Sequence, residues 1–394
     1  MRRCVPVLLA VLTSCLAACE KKASPVAEAA PRAASAEAPS AEAQEVLLGE
    51  VGSLTGAQAV FGVSSRNGFD MAMREINAAG GVKGKKLALR VYDSQGRAED
   101  GAQAVTRLIT RDKVLLILGE VSSTVSMAMA EKAQAAGVPM ISHAATNPGV
   151  TEKGDYIFRI CFIDPFQGYV MAKFAREALK LGEVALLLDN KSDYSMGLGE
   201  VFTKDFTRLG GRILATETYA QGDTDFRAQL TALKQSRPQA LFIPGYYTDV
   251  GLIARQAREL GLTLPLLGTD GWEAETLFEL AGSALEGSYF SSPYAMDSPE
   301  PRMRAFVQAY RAQYARAPDT SAVLAYEATK VAAEALERAP DWSGPSLRDA
   351  IAKTRDFQGV TGTISLDAQR NAVKPAVVLQ VRDGKAEFVT TVHP

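Results

Sequence analysis

Residues 46–93 read VLLGEVGSLTGAQAVFGVSSRNGFDMAMREINAAGGVKGKKLALRVYD. The apolar run Val46–Val51 is a strand candidate. Phe69, Ala72, Met73 and Ile76 then fall on one face of a helix, and the pattern stops at Gly80-Gly81. Leu87, Leu89 and Val91 alternate at the period of a strand. One strand–helix–strand unit is complete within this stretch, and such a unit brings its second strand back parallel to the first.

The same alternation continues outward. A helical pattern runs through Ala102, Val105 and Ile109. Val114–Leu118 is a continuous apolar run of the kind buried in parallel sheets, a helix ends at Gly137, and Val138–Ile141 is the next strand candidate. Further strand candidates are Ile157–Cys161, Val184–Leu188, Ile213–Thr218, Ala240–Ile243 and Leu264–Leu267. Helical stretches around Met171–Leu179, Val201–Leu209, Phe226–Lys234 and Leu252–Leu260 separate them. So many strands would make one oversized sheet, so the expected fold is α/β with two doubly wound lobes. The tail differs. Helical patterns at Met303–Tyr314 and Val323–Leu336 precede strand candidates at Gly362–Leu366, Ala376–Val381 and Glu387–Val392, with Asp383-Gly384 as a hairpin turn between the last two.

The start of the chain reads as a targeting segment. Arg2 and Arg3 precede an almost wholly apolar run, Val5–Leu16, which is shorter than the about 20 residues that span a bilayer. With Ala17-Ala18 and then Cys19, residues 1–18 read as an export signal. Small residues followed by cysteine resemble the lipobox of bacterial lipoproteins, which implies cleavage before Cys19 and a lipid anchor on it. The competing reading is an ordinary secretory signal with a chance cysteine. Residues 19–45, rich in Ala, Pro, Glu and Ser, read as a spacer unable to bury a core.

Composition excludes several classes. The 43 basic and 45 acidic residues nearly cancel, so nothing supports binding to nucleic acid. Two histidines, His143 and His393, leave little for histidine-based catalysis or metal binding. Neither a G-x-S-x-G elbow nor an H-E-x-x-H or C-x-x-C pair occurs. The stretch from Gly80 to Lys86 imitates a phosphate loop but follows a helix and lacks the hydroxyl residue, so it reads as a helix stop and turn. No enzyme activity, cofactor or metal is expected. Cys161 reads as a small buried residue and His143 as structural.

In doubly wound sheets ligands bind beyond the carboxyl ends of strands. Those ends carry Gly52–Gly56 with Phe61, then Gly119-Glu120-Val121-Ser122-Ser123-Thr124, then Ser142–Pro148 including Ala144 and Thr146. In the second half they carry Asp193-Tyr194, Gly245-Tyr246-Tyr247 and Gly268-Thr269-Asp270-Gly271-Trp272. Hydroxyls at a helix start hold an anion, Asp270 pairs with an ammonium group, and Phe61, Tyr194, Tyr246 and Trp272 wall an apolar pocket. Together these suit an α-amino acid. Each also has a plainer reading: Ser122 and Ser123 as helix caps, Thr146-Asn147-Pro148 as a turn, Asp270-Gly271 as a loop corner.

From about Val46 to its end the chain resembles the Leu/Ile/Val-binding family of periplasmic proteins that serve ABC importers. The resemblance rests on Gly49–Gly56, Glu75–Val82 with Gly84, Tyr92-Asp93, Pro139–Ser142 and Ala144–Pro148. In the second half it rests on Asp193-Tyr194, Asp225-Phe226, Gly245-Tyr246 and Arg255–Arg258 with Gly261-Leu262. It implies the type I periplasmic binding protein fold: two lobes joined by three crossovers, with a cleft between them. Lobe 1 would take 46–164 and 294–362, lobe 2 165–293 and 363–394. It implies a ligand carboxylate held by Ser123, Ala144 and Thr146, an ammonium held by Asp270, and aromatic positions at Phe61, Tyr194 and Tyr246; Val121, Ser122 and Trp272, read from the strand ends, are further candidates beside them. The expected partners are an amino acid (branched-chain or related), a permease in the inner membrane, and the membrane itself through the anchor, with the protein in the periplasm. A ligand-sensing receptor module, or a binder of another small carboxylate or amide, fits the same residues. Large aromatics that some relatives place near Ser321 and Val323 are absent here, so leucine-like preference does not follow.

Overall fold

The computed structural model describes residues 45–394. The export signal, Cys19 and the spacer up to residue 44 lie outside the described residues. The opening unit is as expected: β1 (Glu45–Gly52), α1 (Ala59–Ala78) and β2 (Lys86–Asp93), with β1 and β2 parallel along their whole length. Helix α1 stops where Gly80 and Gly81 take positive φ, which glycine adopts without a Cβ penalty. The phosphate-loop mimic is a tight turn closed by a Val82–Lys85 bridge. Helix α2 (Ala98–Arg107), β3 (Ile117–Leu118), α3 (Ser123–Ala136), β4 (Met140–Ser142) and β5 (Ile157–Arg159) complete a five-stranded parallel sheet, order β2-β1-β3-β4-β5.

A second sheet follows. Helix α4 (Asp164–Lys173) leads into β6 (Glu183–Asp189), α5 (Asp193–Arg208), β7 (Arg212–Tyr219), α6 (Arg227–Gln235), β8 (Ala240–Phe242), α7 (Tyr247–Glu259), β9 (Leu266–Gly268), α8 (Glu275–Ala281) and β10 (Tyr289–Ser292). Then come α9 (Pro301–Tyr314), α10 (Thr320–Arg338), α11 (Gly344–Ala352), the short antiparallel pair β11 (Phe357–Gln358) and β12 (Thr363–Ile364), and the hairpin β13 (Ala376–Arg382) and β14 (Lys385–Val392). The order is β14-β13-β10-β9-β8-β6-β7, parallel from β7 to β10 and antiparallel beyond. Asp383 and Gly384 both have positive φ, as a two-residue hairpin turn between twisted strands requires.

Some expected strands differ. Val114–Leu118 narrows to Ile117–Leu118, and Gly362–Leu366 contributes only the two-residue β12. Strand β10 went unread because its sequence, Tyr-Phe-Ser-Ser, lacks an apolar alternation.

Each sheet has its own core, so the molecule has two lobes. Leu48, Phe69, Leu118, Ile141 and Phe158 pack with Leu324, Val331 and Leu336 of α10. Phe202, Phe206 and Phe242 pack under one face of the second sheet, and Leu187, Leu241 and Ile253 under the other. Helix α10 returns from late in the chain to lie against α1. Gly68 permits that approach, since a Cβ there would stand 2.1 Å from the Ala322 carbonyl oxygen. The chain therefore crosses between lobes three times: from β5 to α4, from β10 to α9, and from Ala372 to β13. The last crossing falls later than expected, because Ile364, Leu366 and Ala372 are buried in the first lobe's core.

Candidate functional site

The sheet orders locate the site. In the first sheet β1 feeds α1 toward β2 while β3 lies on its other side, and in the second β6 stands likewise between β7 and β8. A crevice opens at such a reversal, outside the carboxyl ends of the strands. The segments following β1, β3, β6 and β8 carry Phe61, Val121, Tyr194 and Tyr246, and all four line one small cavity of about 20 Å³. The first lobe adds Ala144, Thr320 and Ser321; the second adds Asp270 and Gly271. Two larger hollows, 730 and 470 Å³, lie elsewhere, one along α1, α9 and α10 and one beside Tyr294 and Phe388. Neither touches the strand-end residues, so position rather than size identifies the site.

The second lobe's wall is closely hydrogen bonded. The Tyr194 hydroxyl donates to Asp270 Oδ1 at 2.7 Å, accepts from the Gly271 amide at 2.9 Å and lies 2.6 Å from Thr269 Oγ1. Tyr194 and Tyr246 stack at 5.1 Å between ring centroids, and Phe61 meets Tyr246 edge-on at 6.4 Å. Asp270 is half-buried on the cavity wall, and burial pushes its carboxyl up to about 6 against the pull of Tyr194. Burial likewise raises the Tyr194 and Tyr246 hydroxyls well above the usual phenol range, so both stay neutral donors.

The first lobe supplies hydroxyls and helix ends. Ser122 is the N-cap of α3, and its Oγ accepts from the Val125 amide at 3.5 Å. Ser123 is buried and its Oγ accepts from the Asn147 amide at 3.2 Å. Thr146 is buried too, and its Oγ1 has no protein partner. These three stand beside the cavity wall rather than in it. Trp272 is the clear correction among the expected residues. It is fully buried in the second lobe's core, with its indole Nε1 donating to the Ile243 carbonyl at 2.9 Å, so its polar tip is spent inside the lobe.

Several expected motifs brace the site without touching the cavity. Glu120 is buried and gathers three loops: its Oε1 accepts from Ser53 at 2.5 Å and Ser94 at 3.2 Å, and its Oε2 accepts from the Ser122 amide at 2.6 Å. Asp93 accepts from the Leu54 amide at 2.9 Å and the Thr55 hydroxyl at 2.6 Å. His143 is buried with Nε2 2.8 Å from Ser65 Oγ, and burial pushes its pKa down to about 3, so it is neutral. Burial pushes the Cys161 thiol up to about 12.

Two residues matter that the sequence did not single out. Arg159 is fully buried and donates to the carbonyls of Ala145 and Asn147, both at 2.8 Å, and to Asn371 Oδ1 at 2.8 Å. It thereby ties the loop carrying Ala144 and Thr146 to the last crossover. An arginine inside an apolar strand was the available signal. Asp164, at the start of α4, is buried with neither carboxylate oxygen partnered, and burial pushes it up to about 7 with Asp270 adding to the rise. Its Asp-Pro context read only as a helix start.

The lobes meet around the cavity. The Val60 amide donates to the Tyr247 hydroxyl at 3.3 Å, Thr124 Oγ1 to Asp193 Oδ2 at 2.8 Å, and Asn147 Nδ2 to the Asp193 carbonyl at 2.8 Å. This is a closed arrangement in which residues of both lobes face one space.

Comparison with known proteins agrees with the geometry. Residues 45–386 match the family model described as periplasmic binding protein. The leucine-, isoleucine-, valine-, threonine- and alanine-binding protein of Pseudomonas aeruginosa is 30% identical over 326 residues, 82% of this chain and 86% of that protein. The crystal structure of a leucine binding protein, LivK, from Thermotoga maritima superposes with a TM-score of 0.85 at 36% identity, covering 89% of this chain and 99% of the other. The branched-chain amino acid transporter substrate binding protein LivJ of Streptococcus pneumoniae, in complex with isoleucine, gives 0.84 at 36%, covering 89% and 100%.

Proposed function

This chain belongs to the periplasmic binding protein family, and from that premise we propose that it is the extracytoplasmic solute-binding component of an ABC importer, capturing an amino acid by closure of its lobes. The observation that carries the reading is the cavity with Asp270, Tyr194 and Tyr246 on one side and Phe61, Val121 and Ala144 on the other. A ligand that contacts both walls stabilises the closed state over the open one. The relatives' names point to α-amino acids, and the charges fit. Asp270 faces a cationic group, and the start of α3 with Ser123 and Thr146 receives a carboxylate through hydroxyls and backbone amides.

In this reading, residues 1–18 are removed on export, Cys19 carries the lipid, and 19–45 tether the two-lobed head to the membrane. Lobe 1 comprises 46–164 and 294 onward to the last crossover, and lobe 2 the remainder. The closed head is what the permease in the inner membrane recognises. The site's acids and hydroxyls are placed to hold a ligand.

The first experiment is thermal unfolding of the purified protein against a panel of amino acids. Ligand that binds the native state alone raises the melting temperature by mass action. One or a few amino acids should produce a shift; a flat response across all of them would remove the amino-acid reading.

A further inference from the structure

The proposed function leaves the ligand's side chain open, and the wall opposite the acids addresses it. Once Ala144 is assigned to the carboxylate and Asp270 with Tyr194 to the ammonium, Phe61, Val121, Tyr246, Thr320 and Ser321 remain around the cavity. Thr320 and Ser321 are the first two residues of α10, a helix of 19 residues capped by Asp319, whose carboxylate accepts from the Ala322 amide at 3.0 Å. Thr320 is 5% exposed, and its Oγ1 makes no well-formed hydrogen bond within the protein, the nearby Glu273 carboxyl being its one side-chain contact of that kind. A buried hydroxyl without a partner costs free energy that a ligand group can recover. Val323, by contrast, is fully buried among Phe306 and Tyr310 and offers nothing to the cavity.

Resting on the amino-acid reading, we infer that this protein prefers an α-amino acid with a short, hydroxyl-bearing side chain, such as threonine or serine, read by Thr320 and Ser321. The closed arrangement leaves about 20 Å³ between the walls, so any amino acid must part the lobes against their hydrogen bonds, and a longer side chain must part them further. Polarity argues for a hydroxyl, since a leucine-type side chain would bury the Thr320 and Ser321 hydroxyls against hydrocarbon. Charge argues against a side-chain carboxylate. Asp319, buried at the cap of α10 with its carboxyl raised to about 6 and so ionised at neutral pH, would repel it.

The test is isothermal titration of the intact protein with L-threonine, L-serine, L-alanine, L-leucine and L-aspartate. We expect threonine or serine to bind at least roughly tenfold more tightly than leucine, about what one well-made neutral hydrogen bond supplies, and aspartate to bind more weakly than alanine. In Ser321→Ala and Thr320→Val the ratio of threonine to leucine affinity should fall by about fivefold or more, one neutral hydrogen bond's worth; Thr320→Ser, which keeps the hydroxyl, should recover most of the loss. Circular dichroism melts check that the variants are folded, and the wild-type panel decides the preference without them. Leucine binding as tightly as threonine, or variants that leave the ratio unmoved, would overturn this inference alone. Failure of every amino acid to bind would overturn the amino-acid reading along with it.

Discussion

Replacing Asp270 with asparagine should weaken ligand binding and, at the same time, make the ligand-free protein more stable. Asp270 sits on the cavity wall with its carboxyl raised by burial from 3.8 to about 6. A raised acid pKa means that the folded state holds the proton more tightly than the unfolded state. The sign follows by linkage: this group's contribution is fully favourable below about pH 4 and is lost as pH rises through about 6. At pH 7 the carboxylate is ionised at a cost of about 2 pKa units, or roughly 3 kcal/mol before discounting for its partial exposure to the cavity. Asparagine removes that cost and still accepts from the Tyr194 hydroxyl, which donates to Asp270 Oδ1 at 2.7 Å. The ligand-free variant should therefore be about 1–3 kcal/mol more stable than wild type at pH 7, raising Tm by a few degrees, with the gap closing toward pH 4. Binding should move the other way. An ammonium deprived of a buried charged partner loses about 2–4 kcal/mol, or roughly 30- to 1000-fold in Kd. Calorimetric unfolding from pH 4 to 8 and isothermal titration at pH 7 read the two effects. A variant that melts below wild type without ligand while keeping its affinity within threefold would refute the assignment of Asp270 as the ammonium's partner.

Four further outcomes are expected. Asp164→Asn should likewise make the ligand-free protein more stable, since burial raises Asp164 to about 7; the gain should grow between about pH 4 and pH 7, and a Tm independent of pH relative to wild type would contradict it. Arg159→Met strands the Ala145 and Asn147 carbonyls, so unfolding stability should fall by about 3 kcal/mol or more; a Tm within a degree of wild type would count against its bracing role. Asp193→Ala cuts the bonds from Thr124 and loosens that from Asn147 across the cleft rim, so stopped-flow release should quicken several-fold, about one exposed hydrogen bond's worth, with little change in ligand-free Tm; an unchanged release rate would show that the rim does not hold the lobes. Cys19→Ala should abolish incorporation of labelled fatty acid, and persistent labelling would place the anchor elsewhere.

Much of this fold was legible because each strand and helix carries its own period. Val46–Val51 and the face of Phe69, Ala72, Met73 and Ile76 predicted β1 and α1, and Gly80-Gly81 marked the stop. Strand β10 and the short β11 were not legible, because two to four residues carry no period and exist through their partners in the sheet. For the site, the rule that ligands meet the ends of strands brought Phe61, Val121, Ala144, Tyr194, Tyr246 and Asp270 to one cavity. It misplaced Trp272, since a loop position does not reveal which way a large ring turns.

What the sequence by itself determined is therefore local: alternating strands and helices, two lobes' worth of them, and a set of polar and aromatic residues at strand ends. These follow from spacing along the chain, where neighbours act on one another directly. Only the tertiary structure decided which ends share a crevice, because the reversal of strand order beside β1 and β6 is set by pairing between distant segments. Only it showed that α10 folds back across Gly68 to present Thr320 and Ser321, and that Arg159 and Asp164 are buried with such different satisfaction. Burial and partnership are long-range properties, and they turn an ordinary arginine into a brace and an ordinary aspartate into a charge awaiting a counterion.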